Sequence, residues 1–388
     1  MEQSFRDWIN HKLDNKWHWR QKDTISFFDI GVLRAGSFVT AKAGQAGVRS
    51  TGTLPRHGVK RVNRMLKNPR FTKNKMHEAS ITNFIRLIKN YKMAMLVMDW
   101  TEIKGIHLLC ISFVTDTGRT VPIVWDGYRE GQMPACQSQN KIEESLISKV
   151  LNEIPYTTKV IVLADRGFDR AKFAEFLGNY GPNIFYVIRA SSDAYIHWRG
   201  KRLLLSENLV AKGEWKNYGW VKYSDEHQVR VRFCATWDAD MKSPWLLITN
   251  ISDVSVQTIV SYYGKRMTIE EMFKSMKNEV VGLSLKCVRI KDIDRWLVLC
   301  FVITLLLQFV WEVAQSCGNR VLIRAEESYT LARHRRIHGH RQRCYSVFYL
   351  IFMLVKDDAI AVHFHRGNFV KLLVFYHPII YNRTCSFL

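Results

Sequence analysis

The sequence predicts an α/β fold in which helices flank a mixed β-sheet. Three consecutive apolar runs, at residues 93–100, 105–114 and 120–125, are rich in β-branched and large side chains and indicate three successive strands. A helix, a buried strand, a shorter helix and a further strand follow between residues 141 and 188. This order is typical of a mixed sheet with helices packed against it.

The segments on either side of this core have different patterns of polar and apolar residues. Residues 1–90 read as short helices joined by glycine-containing loops. Residues 191–245 alternate polar and apolar side chains, which predicts an antiparallel β insertion. Helical periodicity then resumes at residue 256 and continues, with a break, to about residue 311. The predicted fold is therefore a mixed sheet with flanking helices, interrupted by a β insertion and preceded by a helical region.

The charge of the chain favours a polyanionic partner. Its 388 residues carry a formal net charge of +22 at pH 7. Each phosphate that Lys or Arg neutralises releases condensed counterions, so an excess of this size favours nucleic acid. Ribosome-associated and membrane-surface proteins can be equally basic, and charge alone leaves these alternatives open.

Compartment and membrane topology can also be predicted from composition. The eight cysteines include no Cys-x2-Cys pair, so we expect no zinc site. The polar N-terminus is unlike a secretory signal, which predicts a cytoplasmic protein with free thiols. The apolar stretch from Trp296 to Leu307 is shorter than the roughly 20 residues of a spanning helix. We therefore expect a buried core helix there and no membrane partner.

A basic helix is predicted near the N-terminus. Between residues 49 and 75 there are nine Lys or Arg residues and no Asp or Glu. Helical spacing places apolar side chains on one side of this segment and cations around the other. A solvated basic face is the alternative, but the lack of acids favours contact with DNA, for which the candidates are Lys60, Arg61 and Arg64.

Two aspartates follow apolar strands. Asp99 comes at the end of the first predicted strand, and Asp165 at the end of the strand beginning at residue 159. A buried carboxylate is costly unless it is paired or binds a metal ion. Two acids at strand ends of one sheet can converge, and their hard oxygen atoms suit Mg²⁺ or Mn²⁺. The alternative for each aspartate is that it caps a strand–turn junction.

A third carboxylate lies in a helical segment. On one continuous helix, Tyr263, Arg266, Glu270, Lys274 and Lys277 would share one face. Such a face could be a salt-bridged surface, since Glu270 has basic residues four positions to either side. It could also complete a metal site with Glu270 while the cations bind phosphates.

These motifs carry a family resemblance. The spacing Tyr-x2-Arg-x3-Glu-x6-Lys, with Glu270 as its acid, resembles the Y-R-E-K signature of bacterial insertion-sequence transposases of the Tn5-like group. Asp-Trp-Thr from Asp99 and Asp-Arg-Gly-Phe from Asp165 resemble the first and second acid motifs of that family, in the same order. The resemblance spans roughly residues 50 to 310 and implies a ribonuclease-H-like core whose third acid follows a β insertion.

The resemblance also implies an activity. Asp99, Asp165 and Glu270 would hold two Mg²⁺ ions, which Mn²⁺ could replace, to cut transposon ends and join the 3′-hydroxyls to target DNA. Trp245, in Trp-Leu-Leu-Ile-Thr, matches the tryptophan that stacks on a flipped base in a hairpin intermediate, or it is a core residue opening a strand. The residues expected by family position to contact backbone phosphate are Tyr263, Arg266, Lys274 and Lys277.

The expected partners are double-stranded DNA, as terminal inverted repeats and target, and a second copy of the chain in a synaptic complex. Such a protein would act in the bacterial cytoplasm, associated with the nucleoid. Two rival functions remain open at this point: a metal-dependent nuclease or resolvase of the same fold, and a DNA-binding descendant that has lost catalysis. The tail at residues 345–388 shows no recognised family pattern.

The sequence pattern and the resemblance together divide the chain into five predicted segments. The catalytic core is expected in two parts, because the β insertion interrupts it. The segments are a helical DNA-binding domain (1–90), the first part of the core (91–190), the β insertion (191–250), the second part of the core (251–311) and a C-terminal region of uncertain architecture (312–388).

Overall fold

The computed structural model describes residues 2–49, 52–115, 118–133, 135–207, 209–279 and 283–316. It also describes the backbone of two short hairpins, β11 (Arg335–Ile337) with β12 (His340–Gln342) and β13 (Ile360–His365) with β14 (Asn368–Val374). Most of the tail at 345–388 therefore lies outside the described residues.

The chain begins with five helices whose starts are set by local sequence. His18 and Thr72 accept hydrogen bonds from backbone amides of the following first turn, and Pro55 occupies the first turn of its helix, where the missing N–H costs nothing. The helices are α1 (Glu2–Lys12), α2 (Trp19–Ala35), α3 (Thr40–Gly47), α4 (Pro55–Leu66) and α5 (Lys73–Ile88).

Two glycines fix how α3 meets α4. A Cβ atom on Gly58 would lie 2.0 Å from the carbonyl oxygen of Gly44, and one on Gly44 would lie 2.8 Å from the backbone of Val59. The two helices therefore touch backbone to backbone, which a larger residue at either position would prevent. This contact sets the position of the basic helix α4.

The centre of the molecule is a ten-stranded sheet. Its strand order is β3-β2-β1-β4-β5-β10-β9-β8-β6-β7. The first three strands form an antiparallel meander, whereas β4 lies parallel to both β1 and β5. The strands are β1 (Met93–Ile103), β2 (Ile106–Val114), β3 (Thr120–Arg129), β4 (Lys159–Ala164), β5 (Ile184–Arg189), β6 (Tyr195–Trp198), β7 (Lys201–Leu204), β8 (Trp215–Tyr223), β9 (Val229–Thr236) and β10 (Trp245–Thr249).

The order β3-β2-β1-β4-β5 confirms the predicted ribonuclease-H-like mixed sheet with a helical N-terminal region. The β insertion is antiparallel and extends the same sheet, because β10 pairs with β5 on one side and β9 on the other. Five further helices complete the described fold: α6 (Gln139–Leu151), α7 (Ala171–Gly178), α8 (Val256–Gly264), α9 (Met267–Lys277) and α10 (Ile293–Ser316).

The sheet separates two hydrophobic cores, and β1 supplies side chains to both. Met95 and Val97 point into one core, whereas Leu96 and Met98 point into the other, as strand alternation requires. The first core contains α1 to α4, the start of α5, α8, α9 and most of α10. The second contains the rest of α5, α6 and α7. The sheet is thus packed on both faces, with one hydrophobic core on each side.

Helix α10 is the centre of the first core. Trp17 stacks on Phe301 with ring centroids 5.1 Å apart, and Phe5 meets Phe309 edge to face at 4.6 Å. Among the described residues α10 is the one helix long and apolar enough to cross a membrane, and 94% of its most apolar stretch is buried within the protein. The observed burial agrees with the predicted core helix.

Candidate active site

The two predicted aspartates lie side by side on neighbouring parallel strands. Val97 of β1 is paired with Leu163 of β4, and each aspartate follows two residues later. Asp99 therefore lies on the same face of the sheet as Val97, and Asp165 follows immediately after the end of the neighbouring strand β4. The charge of Asp165 acts on the carboxyl of Asp99, so the two groups are close. Asp165 follows the end of β4, and its Oδ1 accepts a hydrogen bond from the Gly167 amide at 2.8 Å.

The prediction that Asp99 ends its strand was wrong. β1 continues to Ile103, and Asp99 is paired with Cys110 of β2. The strand continues past the acid because the hydrogen bonds of β2 support its backbone, although the side chains there are no longer uniformly apolar. The backbone of Asp99 is consequently held by its pairing with β2, whereas the pairing of β1 with β4 ends at Val97.

The surroundings of Asp99 raise the pKa of its carboxyl group. Burial, followed by repulsion from Asp165, raises the pKa of Asp99 to about 7, and Glu270 adds to this rise. Arg266 acts in the opposite direction and lowers the pKa. The negative charges of both other predicted acids therefore act on Asp99, where additional positive charge would be stabilised.

A buried arginine lies between the carboxylates. Nη1 of Arg266 is 3.6 Å from Oδ2 of Asp99, and Nη2 makes a close ion pair with Glu270. Within the described part of the chain, Nε and Nη1 of this side chain have no hydrogen-bond partner. The guanidinium thus partly neutralises the acids without satisfying its own donors.

The side chains as placed do not converge on one point. Among the described residues, no three His, Cys, Asp or Glu side chains are close enough together to hold a metal ion. Glu270, whose side chain is 45% exposed, is held by Arg266 instead. The donors nevertheless fit a divalent metal, because they are hard carboxylate oxygens. Burial and, after it, the negative charge of Asp165 raise the pKa of Asp99, and a bound cation would oppose both effects.

The single helix predicted from Tyr263 to Lys277 was wrong. Helix α8 ends at Gly264 and α9 begins at Met267. The amides of Lys265 and Arg266 bond to carbonyls three residues back, at 3.1 and 2.9 Å, so the α-helical ladder is interrupted. A low-propensity glycine stands at the break.

The break separates residues that were expected to share one face. Tyr263 is only 2% exposed, and its ring meets Trp245 edge to face, with centroids 4.8 Å apart. The Arg266 guanidinium lies 5.9 Å from the same Tyr263 ring. Lys274 is exposed on α9, and Lys277 is half-buried with a pKa lowered by burial and by Lys286.

The predicted N-terminal cations lie on α4, where their surroundings differ. Lys60 and Arg64 are exposed. Arg61 is already engaged: it pairs with Asp23 at 2.5 Å and lies over the Phe27 ring. Of these three candidates, Arg61 is therefore the least available to a ligand.

Glu143 was missed from the sequence, yet it connects the two aspartate segments. This fully buried residue of α6 accepts the indole N–H of Trp100 at 2.7 Å and a guanidinium N–H of Arg170 at 2.5 Å. Trp100 is next to Asp99, and Arg170 ends the loop that follows Asp165. The signal in the sequence was an acid at helical spacing from the apolar residues of α6.

Burial raises the pKa of Glu143, and its bonds to Trp100 and Arg170 oppose that rise. The carboxylate is therefore maintained by these two partners. A rotation of either aspartate segment would break one of the two bonds and leave a buried charge unsatisfied.

A second residue missed by the sequence reasoning shapes the approach to α8. Buried Arg232 of β9 donates to the carbonyl oxygens of Ile251, Ser252 and Val254 at 3.2, 2.9 and 2.8 Å. These carbonyls belong to the turn between β10 and α8. Arg232 thus fixes the path from Trp245 to the segment that carries Arg266.

Comparison with known proteins adds a family match. Residues 136–306 match the model of a family described as a transposase DDE domain, a segment that includes Asp165 and Glu270. A cryo-EM structure of a piggyBac transposase synaptic complex with hairpin DNA is similar over 92% of this chain and 76% of that one, with 9% identity and a TM-score of 0.44, too low to support a conclusion. A search of curated proteins found no match. Over residues 136–306, the chain is therefore similar to a transposase DDE domain.

Proposed function

We propose that this protein is a DNA transposase that cleaves transposon ends and joins the freed 3′-hydroxyls to target DNA by two-metal-ion phosphoryl transfer. The observation that carries the proposal is the placement of Asp99 beside Asp165 on parallel strands, with Glu270 close enough to raise the pKa of Asp99. The acids fall in the order expected of the resemblance to the Y-R-E-K group of bacterial insertion sequences.

The proposed ligands are Asp99, Asp165 and Glu270, and the proposed metal is Mg²⁺, with Mn²⁺ as a substitute. Two such ions, when bound, would activate the attacking oxygen and stabilise the leaving oxygen of an in-line displacement. Asp99 gives up its proton when it becomes a ligand, and Glu270 exchanges its contact with Arg266 for a place in the site.

The residues around the acids then serve the DNA. Arg266, released from Glu270, offers donors that lack partners in the described chain to a phosphate oxygen. Lys274 and Lys277 supply positive charge on the next helix. Tyr263 is buried, so its proposed phosphate contact needs the α8–α9 break to open.

We further propose that excision passes through a hairpin intermediate in which Trp245 stacks on a flipped base. The indole is half-buried at the start of β10, and its ring is nearly perpendicular to that of Tyr263. Stacking contributes about 1–3 kcal/mol per base, and flipping costs a few kcal/mol. One tryptophan can therefore offset much of that cost.

The reaction has two DNA ends, which is why we propose a homodimer that synapses the terminal inverted repeats before target joining. It would act on nucleoid DNA in the bacterial cytoplasm. On α4, Lys60 and Arg64 are the exposed candidates for DNA contact, and Arg61 would have to leave Asp23 to join them.

The test is cleavage and joining by purified protein with Mg²⁺ or Mn²⁺ and DNA that carries the terminal repeats of the element. We expect nicked and then joined products, and we expect Asp99→Ala and Glu270→Gln to abolish both. Glu271→Gln is the matched control, because Glu271 is exposed and pairs with Arg119. Full cleavage by Asp99→Ala would contradict the assignment of Asp99 as a metal ligand.

The same experiment separates the rival functions. Cleavage without joined products would favour a metal-dependent nuclease or resolvase. Binding of the repeats without any cleavage, in either metal, would favour a DNA-binding descendant that has lost catalysis.

A further inference from the structure

A cleft of about 690 Å³ opens among the N-terminal helices. All of its lining residues precede Asp99 in the sequence. It is lined from α2 by Trp19, Arg20 and Gln21, from α4 by Arg64, and from the following loop by Arg70. Its volume lies within the range of about 300–1,000 Å³ that small-ligand sites occupy.

The cleft is positively charged. Arg20, Arg64 and Arg70 are exposed, and none of the three forms an ion pair within the part of the chain that the structure describes. The one acid of the lining, Asp23, is committed to Arg61 at 2.5 Å. Three guanidinium groups therefore remain for an anion, and their planar donors suit phosphate.

An exposed aromatic ring stands at the edge of this charge. Trp19, the first residue of α2, is 63% exposed, and the Arg20 guanidinium lies 5.3 Å from its ring centroid. An exposed indole beside an arginine that forms no ion pair with the described residues is typical of surfaces that stack on nucleosides.

A buried amide supplies an independent sign of a missing ligand. Gln21 is 6% exposed, and its Oε1 accepts hydrogen bonds from the His18 amide and from Nζ of Lys75, both at 3.1 Å. Its Nε2 has no hydrogen-bond partner among the described residues. A buried donor left without a partner is destabilising, and this one belongs to a side chain that lines the cleft.

We propose that this cleft binds a nucleotide of the DNA that the protein acts on. Arg20, Arg64 and Arg70 hold the phosphodiester, Trp19 packs against the adjoining sugar and base, and Gln21 donates to an acceptor of the nucleotide. The choice of DNA as ligand rests on the proposed function. The nucleotide can come from a duplex backbone or from an unpaired strand, which share this chemistry.

The test is DNA binding in EDTA, where no cleavage intervenes. Fluorescence anisotropy of a labelled duplex and of a labelled single strand is followed between about 50 and 200 mM salt. We expect each of Arg20→Ala, Arg64→Ala and Arg70→Ala to reduce the slope of log affinity against log salt by about 1. Lys172→Ala, which removes an exposed charge on α7, should leave the slope unchanged.

The aromatic contact has its own matched pair. We expect Trp19→Ala to weaken binding by about 5- to 100-fold, the range for loss of one stacked base, and Trp19→Phe to retain most of it. Trp215→Ala is the control, since Trp215 is also exposed, at 55%, on the β insertion. Neither tryptophan is buried, so both variants should fold, which thermal melts followed by circular dichroism will verify.

The two probes identify the source of the nucleotide. A loss confined to the single strand assigns the cleft to unpaired DNA, and a loss on the duplex assigns it to the duplex backbone. Cleft variants that bind both probes like their controls would overturn the proposal, even if the protein cleaves DNA. Wild-type protein that binds through the cleft but never cleaves would instead overturn the proposed function alone.

Discussion

Replacing Glu143 perturbs the contact that joins the two aspartate segments of the candidate site. In Glu143→Ala, the Trp100 indole loses its acceptor and the Arg170 guanidinium loses its counter-charge. In Glu143→Gln, the shape and one acceptor oxygen remain, but the charge is gone. The two variants therefore separate the stability of the fold from the orientation of Asp99 and Asp165.

The magnitudes follow from burial. Removing one partner of a buried ion pair costs about 3–5 kcal/mol, and the Arg170 side chain is 23% exposed, so water can reach it. We expect Glu143→Ala to lower the free energy of unfolding by about 3 kcal/mol, the low end of that range. Because burial raises the pKa of Glu143, its charge is held at a cost, and Glu143→Gln should lose only about 1 kcal/mol.

Activity should respond differently from stability. A misplacement of about 1 Å at reacting groups can lower the rate about 100-fold. We therefore expect Glu143→Gln to remain folded and to cleave DNA about 10- to 100-fold more slowly than the wild type. Urea unfolding gives the stability, and single-turnover cleavage at saturating DNA gives the rate. Glu144→Gln, one position along the same helix, is the control.

Two results would refute the reasoning about Glu143. Unchanged urea midpoints in Glu143→Ala would show that the buried contact contributes nothing to stability. A normal cleavage rate in folded Glu143→Gln would show that the contact does not orient the aspartates.

Four further predictions concern the site and the residues around it. The pKa of Asp99 is raised from about 3.9 in the unfolded chain to about 7 in the folded protein. The free energy of unfolding of the metal-free protein should therefore fall as the pH rises from about 4 to about 7. In urea titrations at several pH values, Asp99→Asn should remove this pH dependence. Divalent-cation affinity, measured by calorimetry, should rise over the same window as the proton is lost. Trp245→Ala should retain the first nick but lose hairpin product on denaturing gels, whereas Trp245→Phe should keep both; equal loss of nick and hairpin would contradict base stacking. Arg232→Ala should destabilise the protein by about 3 kcal/mol in urea unfolding, because three carbonyl oxygens lose a charged donor; a midpoint within error of wild type would contradict this.

The sheet of the core could be predicted because its strands are buried and therefore apolar. The strand predicted at 159–163 is observed as β4 (Lys159–Ala164), and the helix predicted at 141–151 as α6 (Gln139–Leu151). The end of β1 could not be predicted in the same way. Its last residues are kept in the strand by pairing with β2, a contact that side-chain polarity near Asp99 does not reveal.

The site was harder to predict where it depends on contacts distant in sequence. Helical periodicity placed Arg266 and Glu270 together, and they do pair. It could not show that the helix breaks before Arg266, or that the guanidinium turns toward Asp99. Glu143 illustrates the same limit, because its partners lie 43 and 27 residues away.

The extension of the sheet by the β insertion was also beyond the sequence pattern. Alternating side chains predict antiparallel strands, but the edge on which they pair is set by β10 meeting β5. That pairing brings Trp245 beside Tyr263.

The most direct test of the central claim, that Asp99 and Asp165 are metal ligands in a DNA-cutting site, is metal rescue of cysteine variants. A thiolate is a poor ligand for hard Mg²⁺ and a better one for a softer ion. We expect Asp99→Cys and Asp165→Cys to cleave no DNA in Mg²⁺ and to regain cleavage in Mn²⁺, while Glu271→Cys cleaves in both. Wild-type cleavage by Asp99→Cys in Mg²⁺ would contradict the assignment of Asp99 as a metal ligand.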